Sequence, residues 1–138
     1  MKTVIIYWSG TGNTQAMAEA IESGLKQGGA ETALISVDKA NVDMMDAYEA
    51  FAFGCPSMGD EVLEEGEFEP FFASIEGKLA GKKVALFGSY GWGDGKWMRE
   101  WVKRVKDAGA NLYEEGLIMQ EVPDEAACTD YGKAFAAF

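Results

Sequence analysis

The sequence predicts an α/β domain, a doubly wound parallel sheet of five strands with helices on both faces. Three observations carry this expectation. Short apolar runs alternate with segments of helical period along the whole chain. The runs are continuously apolar, as strands covered on both faces must be. The chain has 138 residues, enough for such a sandwich but short of the roughly 200 that a closed α/β barrel needs. No repeat, linker or low-complexity segment interrupts it, so residues 1–138 read as one domain.

The elements follow in order. Residues 3–8 (TVIIYW) are β-branched and aromatic and form the first strand. After Ser9-Gly10-Thr11-Gly12 a helical period begins at Asn13, with Met17, Ile21 and Leu25 on one face and a stop at Gly28-Gly29. Residues 32–37 form a second strand, and residues 47–54 (AYEAFAFG) a third despite their alanines. A long acidic loop leads to a helix over 70–78, with Phe71, Phe72 and Ile75 apolar. Residues 83–88 (KVALFG) form a fourth strand with clear ends. Asp94 is placed to cap a helix on which Trp97, Trp101 and Val105 recur at i, i+4 and i+8, stopping near Gly109. Residues 112–120 make a broken fifth strand, and 124–138 a closing helix with Ala127, Tyr131, Phe135 and Phe138 inward.

Composition excludes several classes of function. Twelve basic and 23 acidic side chains give a formal charge of −11, which opposes nucleic acid and anionic membrane surfaces. The same charge steers the protein toward positively charged docking surfaces. Residues 40–77 contain no Lys or Arg, yet hold Asp43, Asp46, Glu49, Asp60, Glu61, Glu64, Glu65, Glu67, Glu69 and Glu76. There is no His, hence neither the commonest general base nor the commonest metal ligand. Cys55 and Cys128 lack C-x-x-C spacing, which argues against zinc or a dithiol centre, and Cys55 reads as a small buried hydrophobe. The opening MKTVIIYWSG is too short an apolar segment for a signal peptide, and no stretch reaches a membrane span. A cytoplasmic protein with free thiols is expected, and the charge favours a monomer.

The six residues Ser9, Gly10, Thr11, Gly12, Asn13 and Thr14 join a strand to a helix N-terminus. There the first N–H groups lack intrahelical partners and the dipole is positive, so an anion is stabilised. The loop has no Lys, which the Walker phosphate loop requires, and Gln15 stands where G-x-G-x-x-G would have its third glycine. A single monoester phosphate held by dipoles and hydroxyls fits what remains; the structural alternative is a tight βα turn with polar caps.

In a doubly wound sheet the ligand sits at the carboxyl ends of the strands, so the loops after strands three and four should meet it. They read Cys55-Pro56-Ser57-Met58-Gly59-Asp60-Glu61 and Ser89-Tyr90-Gly91-Trp92-Gly93-Asp94-Gly95. Trp92 between two glycines is poor core material and good stacking material, and the polarizable sulfur of Met58 suits contact with a ring. Together the loops form a slot for a planar heteroaromatic.

YWSGTGNT, GCPSMGDE and LFGSYGWGDGKWM resemble the three FMN-binding loops of short-chain flavodoxins, especially the clostridial type. The likeness spans the whole chain in length, element order and acidity. It implies strand order 2-1-3-4-5 and a non-enzymatic, low-potential one-electron carrier cycling mainly between neutral semiquinone and hydroquinone. It further implies that residues Ser9 to Thr14 hold the FMN phosphate and that Met58 and Trp92 flank the ring. Backbone groups of Ser89, Tyr90 and Gly91, before Gly93, would bond the pyrimidine edge, and Glu61 would accept from the ring N3–H. The Gly59–Asp60 peptide would reorient on one-electron reduction so that the Gly59 carbonyl accepts the new N5–H. Pro56 stands where some relatives carry Ser, leaving Ser57 as the neighbouring hydroxyl. Gln120 would supply the amide that the family shows beside the ring edge, with Glu121 following it. The implied partners are redox proteins with basic docking surfaces, such as ferredoxin-type oxidoreductases and flavoprotein reductases.

The cofactor would carry the redox chemistry and the protein would tune it. One hydrogen bond made in only one redox state, worth roughly 0.5–1.5 kcal/mol net, shifts a one-electron potential by about 20–65 mV. The second electron would meet Asp60, Glu61, Glu64, Glu65 and Asp94 with no nearby cation, which lowers that couple. Three rivals share parts of the pattern. A flavodoxin-like FMN enzyme would need an insertion to build a substrate pocket. A receiver domain would need acids where Tyr7 and Trp8 stand and an Asp where Gly54-Cys55 stand. A non-redox module for a phosphorylated aromatic would be colourless.

Overall fold

The computed structural model describes residues 2–138. Its sheet comprises strands β1 (Lys2–Tyr7), β2 (Glu31–Ser36), β3 (Ala50–Gly54), β4 (Lys83–Tyr90), β5 (Asn111–Leu112) and β6 (Leu117–Gln120). Four helices cover it: α1 (Asn13–Gln27), α2 (Phe68–Ile75), α3 (Lys96–Asp107) and α4 (Glu125–Ala136). The order is β2-β1-β3-β4-β5, all pairings are parallel, and β6 also pairs with β4.

The fifth strand position is therefore filled by two short strands in succession. Asn111 and Leu112 pair with Lys83 and Val84, and Leu117 to Gln120 pair with Phe87 to Tyr90. Between them Glu114 (φ 55°) and Gly116 (φ 90°) are left-handed, a conformation no strand can hold. The Tyr113 amide makes the last bond of this first piece, to the Val84 carbonyl at 2.7 Å, and its ring packs against Tyr131, Phe135 and Phe138.

Continuous apolarity in the strands has its expected origin in burial on two faces. Val4, Ile6, Phe51, Phe53, Val84 and Leu86 pack with α2 and α3. Ile5, Ala50, Ala52, Ala85 and Phe87 pack with α1 and α4. Each strand thus feeds two cores with alternate side chains. On the α2–α3 side Phe53, Phe68, Phe72 and Trp101 meet edge-to-face at 5.4–5.7 Å. Truncating one of these rings would cost about 3–5 kcal/mol. Arg104 clamps the same side, with its guanidinium 5.0 Å from the Phe72 ring centroid and both nitrogens of its fork bonded to Glu69 at 2.7 Å. On the other side α1 and α4 touch backbone to backbone: a Cβ on Gly24 would collide with the Thr129 carbonyl, and one on Gly132 with that of Ile21.

Several boundaries differ from those the sequence suggests. Val37 opens a short 3-10 turn rather than ending β2, and Ala47 closes another before β3. α2 starts two residues earlier than expected and gives way to a 3-10 turn at Glu76. β4 runs on to Tyr90 because β6 extends its ladder. On α4 the buried face is Cys128, Tyr131, Gly132 and Phe135; Ala127 is half-buried, and Phe138 lies beyond the helix end and is exposed. Among the described residues no helix is long and apolar enough to cross a membrane.

Candidate functional site

The chain leaves β1, β3, β4 and β6 at the same edge of the sheet, and the four loops enclose a cleft of about 260 Å³. That is slightly below the ~300–1,000 Å³ of pockets that bury nearly all of a ligand, which suits one that stays partly in water. Its lining comes from Trp8, Gly10, Thr11 and Asn13; from Pro56, Ser57 and Met58; from Ser89, Tyr90 and Gly91; and from Glu121.

In the first loop Gly12 is left-handed (φ 97°) and starts α1 without a side-chain cap of its own. The Ser9 hydroxyl turns back into the loop and accepts from the Gly12 and Gln15 amides at 3.1 and 3.2 Å. The amides of Gly10, Thr11 and Thr14 find no acceptor among the described residues, and the first turn of α1 carries no acid. A partial positive charge is thus left open to an anion. The six loop residues divide. Gly10, Thr11 and Asn13 face the cleft, Ser9 and Gly12 shape the turn, and Thr14 is buried with its hydroxyl 2.9 Å from that of Ser89.

The second loop is a tight hairpin. Met58 and Val62 exchange two backbone bonds of 2.8 and 2.9 Å, leaving Gly59 (φ 51°) and exposed Asp60 at the tip. A Cβ on Gly59 would meet nothing within 4 Å, so its constraint is conformational rather than steric. Pro56, Ser57 and Met58 line the cleft; Gly59, Asp60 and Glu61 do not. Glu61, itself left-handed (φ 57°), instead directs Oε1 to the amides of Asp94 and Lys96, each at 3.2 Å. Three residues on, the Glu64 carboxylate accepts from Gly66, Glu67 and Phe68 and starts α2. Burial raises the Glu64 pKa, but the bonds from Phe68, Glu67 and Gly66 outweigh it and hold it below 4.5. Two acids of the Lys- and Arg-free stretch thus cap two helices.

Asp94 does not cap α3, contrary to the sequence reading. Gly95 (φ 94°) stands between it and the helix, and the Asp94 carboxylate pairs with Arg99 at 2.9 Å. Glu61 takes the capping role across 35 residues, a long-range contact that spacing along the chain does not reveal. Trp92 is 62% exposed on the third loop, and neither it nor Gly93 lines the cleft. Gln120 lies outside the cleft too, its Nε2 donating to the Gly91 carbonyl at 3.3 Å.

Trp8 and Glu121 line the cleft without having been singled out as site residues. Trp8 reads as the last residue of a strand, but β1 ends at Tyr7 and the indole turns to the site, with Nε1 3.3 Å from a Glu67 oxygen. The available signal was its place immediately before the phosphate loop. Both cysteines are buried with raised thiol pKa values, through burial first; that of Cys128 is pushed up to about 11. Among the described residues no cluster of His, Cys, Asp or Glu is suited to a metal.

A cleft built from these loops on this sheet order has close counterparts. A family model described as Flavodoxin matches residues 5–132. The chain belongs to the flavodoxin family. It is 52% identical to a flavodoxin of Clostridium beijerinckii over 134 residues, covering 96% of this chain and 97% of the other. It is 47% identical to a flavodoxin of Megasphaera elsdenii, covering 96% of each. The solution structure of two-electron reduced Megasphaera elsdenii flavodoxin superposes with a TM-score of 0.90 at 46% identity, covering 99% of both chains.

Flavodoxins are FMN-binding electron-transfer proteins, and the residues present fit that cofactor. The open amides of Gly10, Thr11 and Thr14 suit a phosphate that brings its own charge, and Met58 and Tyr90 offer polarizable and aromatic walls. No Lys or Arg lines the cleft.

Proposed function

We propose that this flavodoxin is a low-potential cytoplasmic carrier that turns over no substrate of its own. On this reading it docks transiently, as a monomer, on basic surfaces of ferredoxin-type oxidoreductases and flavoprotein reductases. The observation that carries the reading is the charge arrangement around the cleft: a net −11, a Lys- and Arg-free stretch over 40–77, and one exposed indole, Trp92, on a loop beside it. Such a surface attracts a basic partner and presents a small apolar contact at its centre.

Bound FMN supplies one-electron chemistry. The chain's part is to bind and tune. Amides of Gly10, Thr11 and Thr14 and the side chains of Thr11 and Asn13 would hold the phosphate at the positive end of α1. Met58 and Trp92 would flank the ring, while Pro56, Ser57, Tyr90 and Gly91 shape the slot. Gly59 leaves the hairpin tip free to change its peptide orientation at little cost. The absence of any cationic side chain in the lining disfavours added negative charge, which keeps the second electron at low potential.

An anaerobic reductive titration followed by visible absorbance tests the reading. A yellow protein reduced in two resolved one-electron steps supports it; bleaching in one two-electron step points to a flavoenzyme. Chromatography on a basic redox partner at rising salt tests the docking, and retention that is insensitive to salt would sink it.

A further inference from the structure

The geometry points to Glu121 as the residue that sets both the polarity of the bound cofactor and the potential of its second electron. This rests on FMN occupying the cleft. Glu121 is the only carboxylate, and the only group charged at neutral pH, among the residues that line the cleft. Its position is imposed by the sheet. The β4–β6 ladder ends with Tyr90 paired to Gln120, and the next amide, that of Glu121, donates to the Tyr90 carbonyl at 2.8 Å. There the backbone turns left-handed (φ 56°), a conformation disfavoured for any residue with a Cβ. Non-glycine residues in this region occur mainly where surrounding structure over-determines them, often at ligand sites.

No Lys or Arg lies within ion-pair distance of Glu121 among the described residues, and the first two cations of α3, Lys96 and Arg99, pair with Glu100 and Asp94. The carboxylate therefore acts on the cleft unneutralised. Its strand, β6, is separated from β1 and the phosphate loop by β3 and β4. An anion is thus attracted at the start of α1 and repelled beside β6, so the ligand's phosphate and its hydrogen-bond-donating edge are sorted to different sides. The same carboxylate opposes negative charge that arrives with the second electron, and does not oppose a neutral ring.

The test is spectroelectrochemistry of the FMN-loaded protein and Glu121→Gln, with Glu31→Gln as a control of equal charge change. Glu31 is exposed at the start of β2, at the opposite edge of the sheet. In Glu121→Gln the affinity for the cofactor after the second electron should rise about tenfold relative to that before it, a shift of about +59 mV in that couple. The shift should shrink as salt is added, because screening weakens a charge effect and leaves a packing effect intact. Glu31→Gln should leave the couple in place. Equal shifts in the two variants, a shift indifferent to salt, or loss of FMN binding in Glu121→Gln would each overturn the assignment. Unsubstituted protein that takes up no FMN would overturn the cofactor reading together with it; a loaded protein with an unmoved couple in the variant overturns the assignment alone.

Discussion

The hydroxyls of Thr14 and Ser89 lie 2.9 Å apart inside the protein, and the Ser89 amide also donates to Thr14 at 3.3 Å. These contacts join the first turn of α1 to the end of β4, and so fix the phosphate loop against the third loop. Thr14→Val keeps the shape but leaves buried Ser89 groups unpaired. We expect a loss of about 1–3 kcal/mol in stability, measured as a lower urea midpoint with an unchanged slope.

Glu61 holds the start of α3 from the second loop. Glu61→Ala should cost about 0.5–2 kcal/mol, the range for losing a helix cap, and should loosen the loop that carries Trp92. Urea unfolding reads the first effect. Hydrogen exchange at the Asp94 and Lys96 amides reads the second, and unchanged protection there would refute the cap.

Trp92 is largely in solvent and supports little of the fold. Trp92→Ala should therefore alter stability by no more than about 0.5 kcal/mol. If its indole stacks on the cofactor, FMN binding should weaken by about 1–3 kcal/mol, which titration of the apoprotein with FMN measures directly. A large stability loss with unchanged FMN affinity would reverse this assignment.

The Glu64 carboxyl is held below its ordinary 4.5 in the folded protein. A group whose folded pKa is depressed stabilises the fold fully above its unfolded value and loses that contribution as pH falls through the folded one. The cap on α2 should therefore be intact at neutral pH and weaken below about pH 4.5. Glu64→Gln should flatten the acid limb of stability against pH; an unchanged limb would show that the carboxylate is not what caps α2.

Gly59 sits at φ 51° with open space around the position of a Cβ. Gly59→Ala should fold at a cost of about 1–2 kcal/mol, the penalty of a Cβ in the left-handed region, and should resist reorientation of the Gly59–Asp60 peptide. The gap between the two one-electron potentials should narrow by about 20–65 mV, the equivalent of one hydrogen bond. Spectroelectrochemistry decides it, and an unaltered gap would leave the peptide without a redox role.

What the sequence by itself determined was everything set by local pattern. The strand cores follow from runs such as VALF at 84–87, α1 and α3 from their periodic apolar residues, and the phosphate loop from glycines at a strand–helix junction. These signals are local because a strand buried on both faces and a helix buried on one must each carry its burial pattern in its own residues. The family likeness was legible for the same reason, since its motifs are short contiguous loops. Tertiary structure alone decided which of the acids are employed and where. Glu61 and Asp94 are 33 positions apart, and only the packing of the second loop on α3 brings the carboxylate of one to the amide of the other. Trp8 and Glu121 enter the cleft because β1 stops at Tyr7 and β6 ends opposite Tyr90. Charges act through space, and the distance between two loops depends on the register of the strands that carry them.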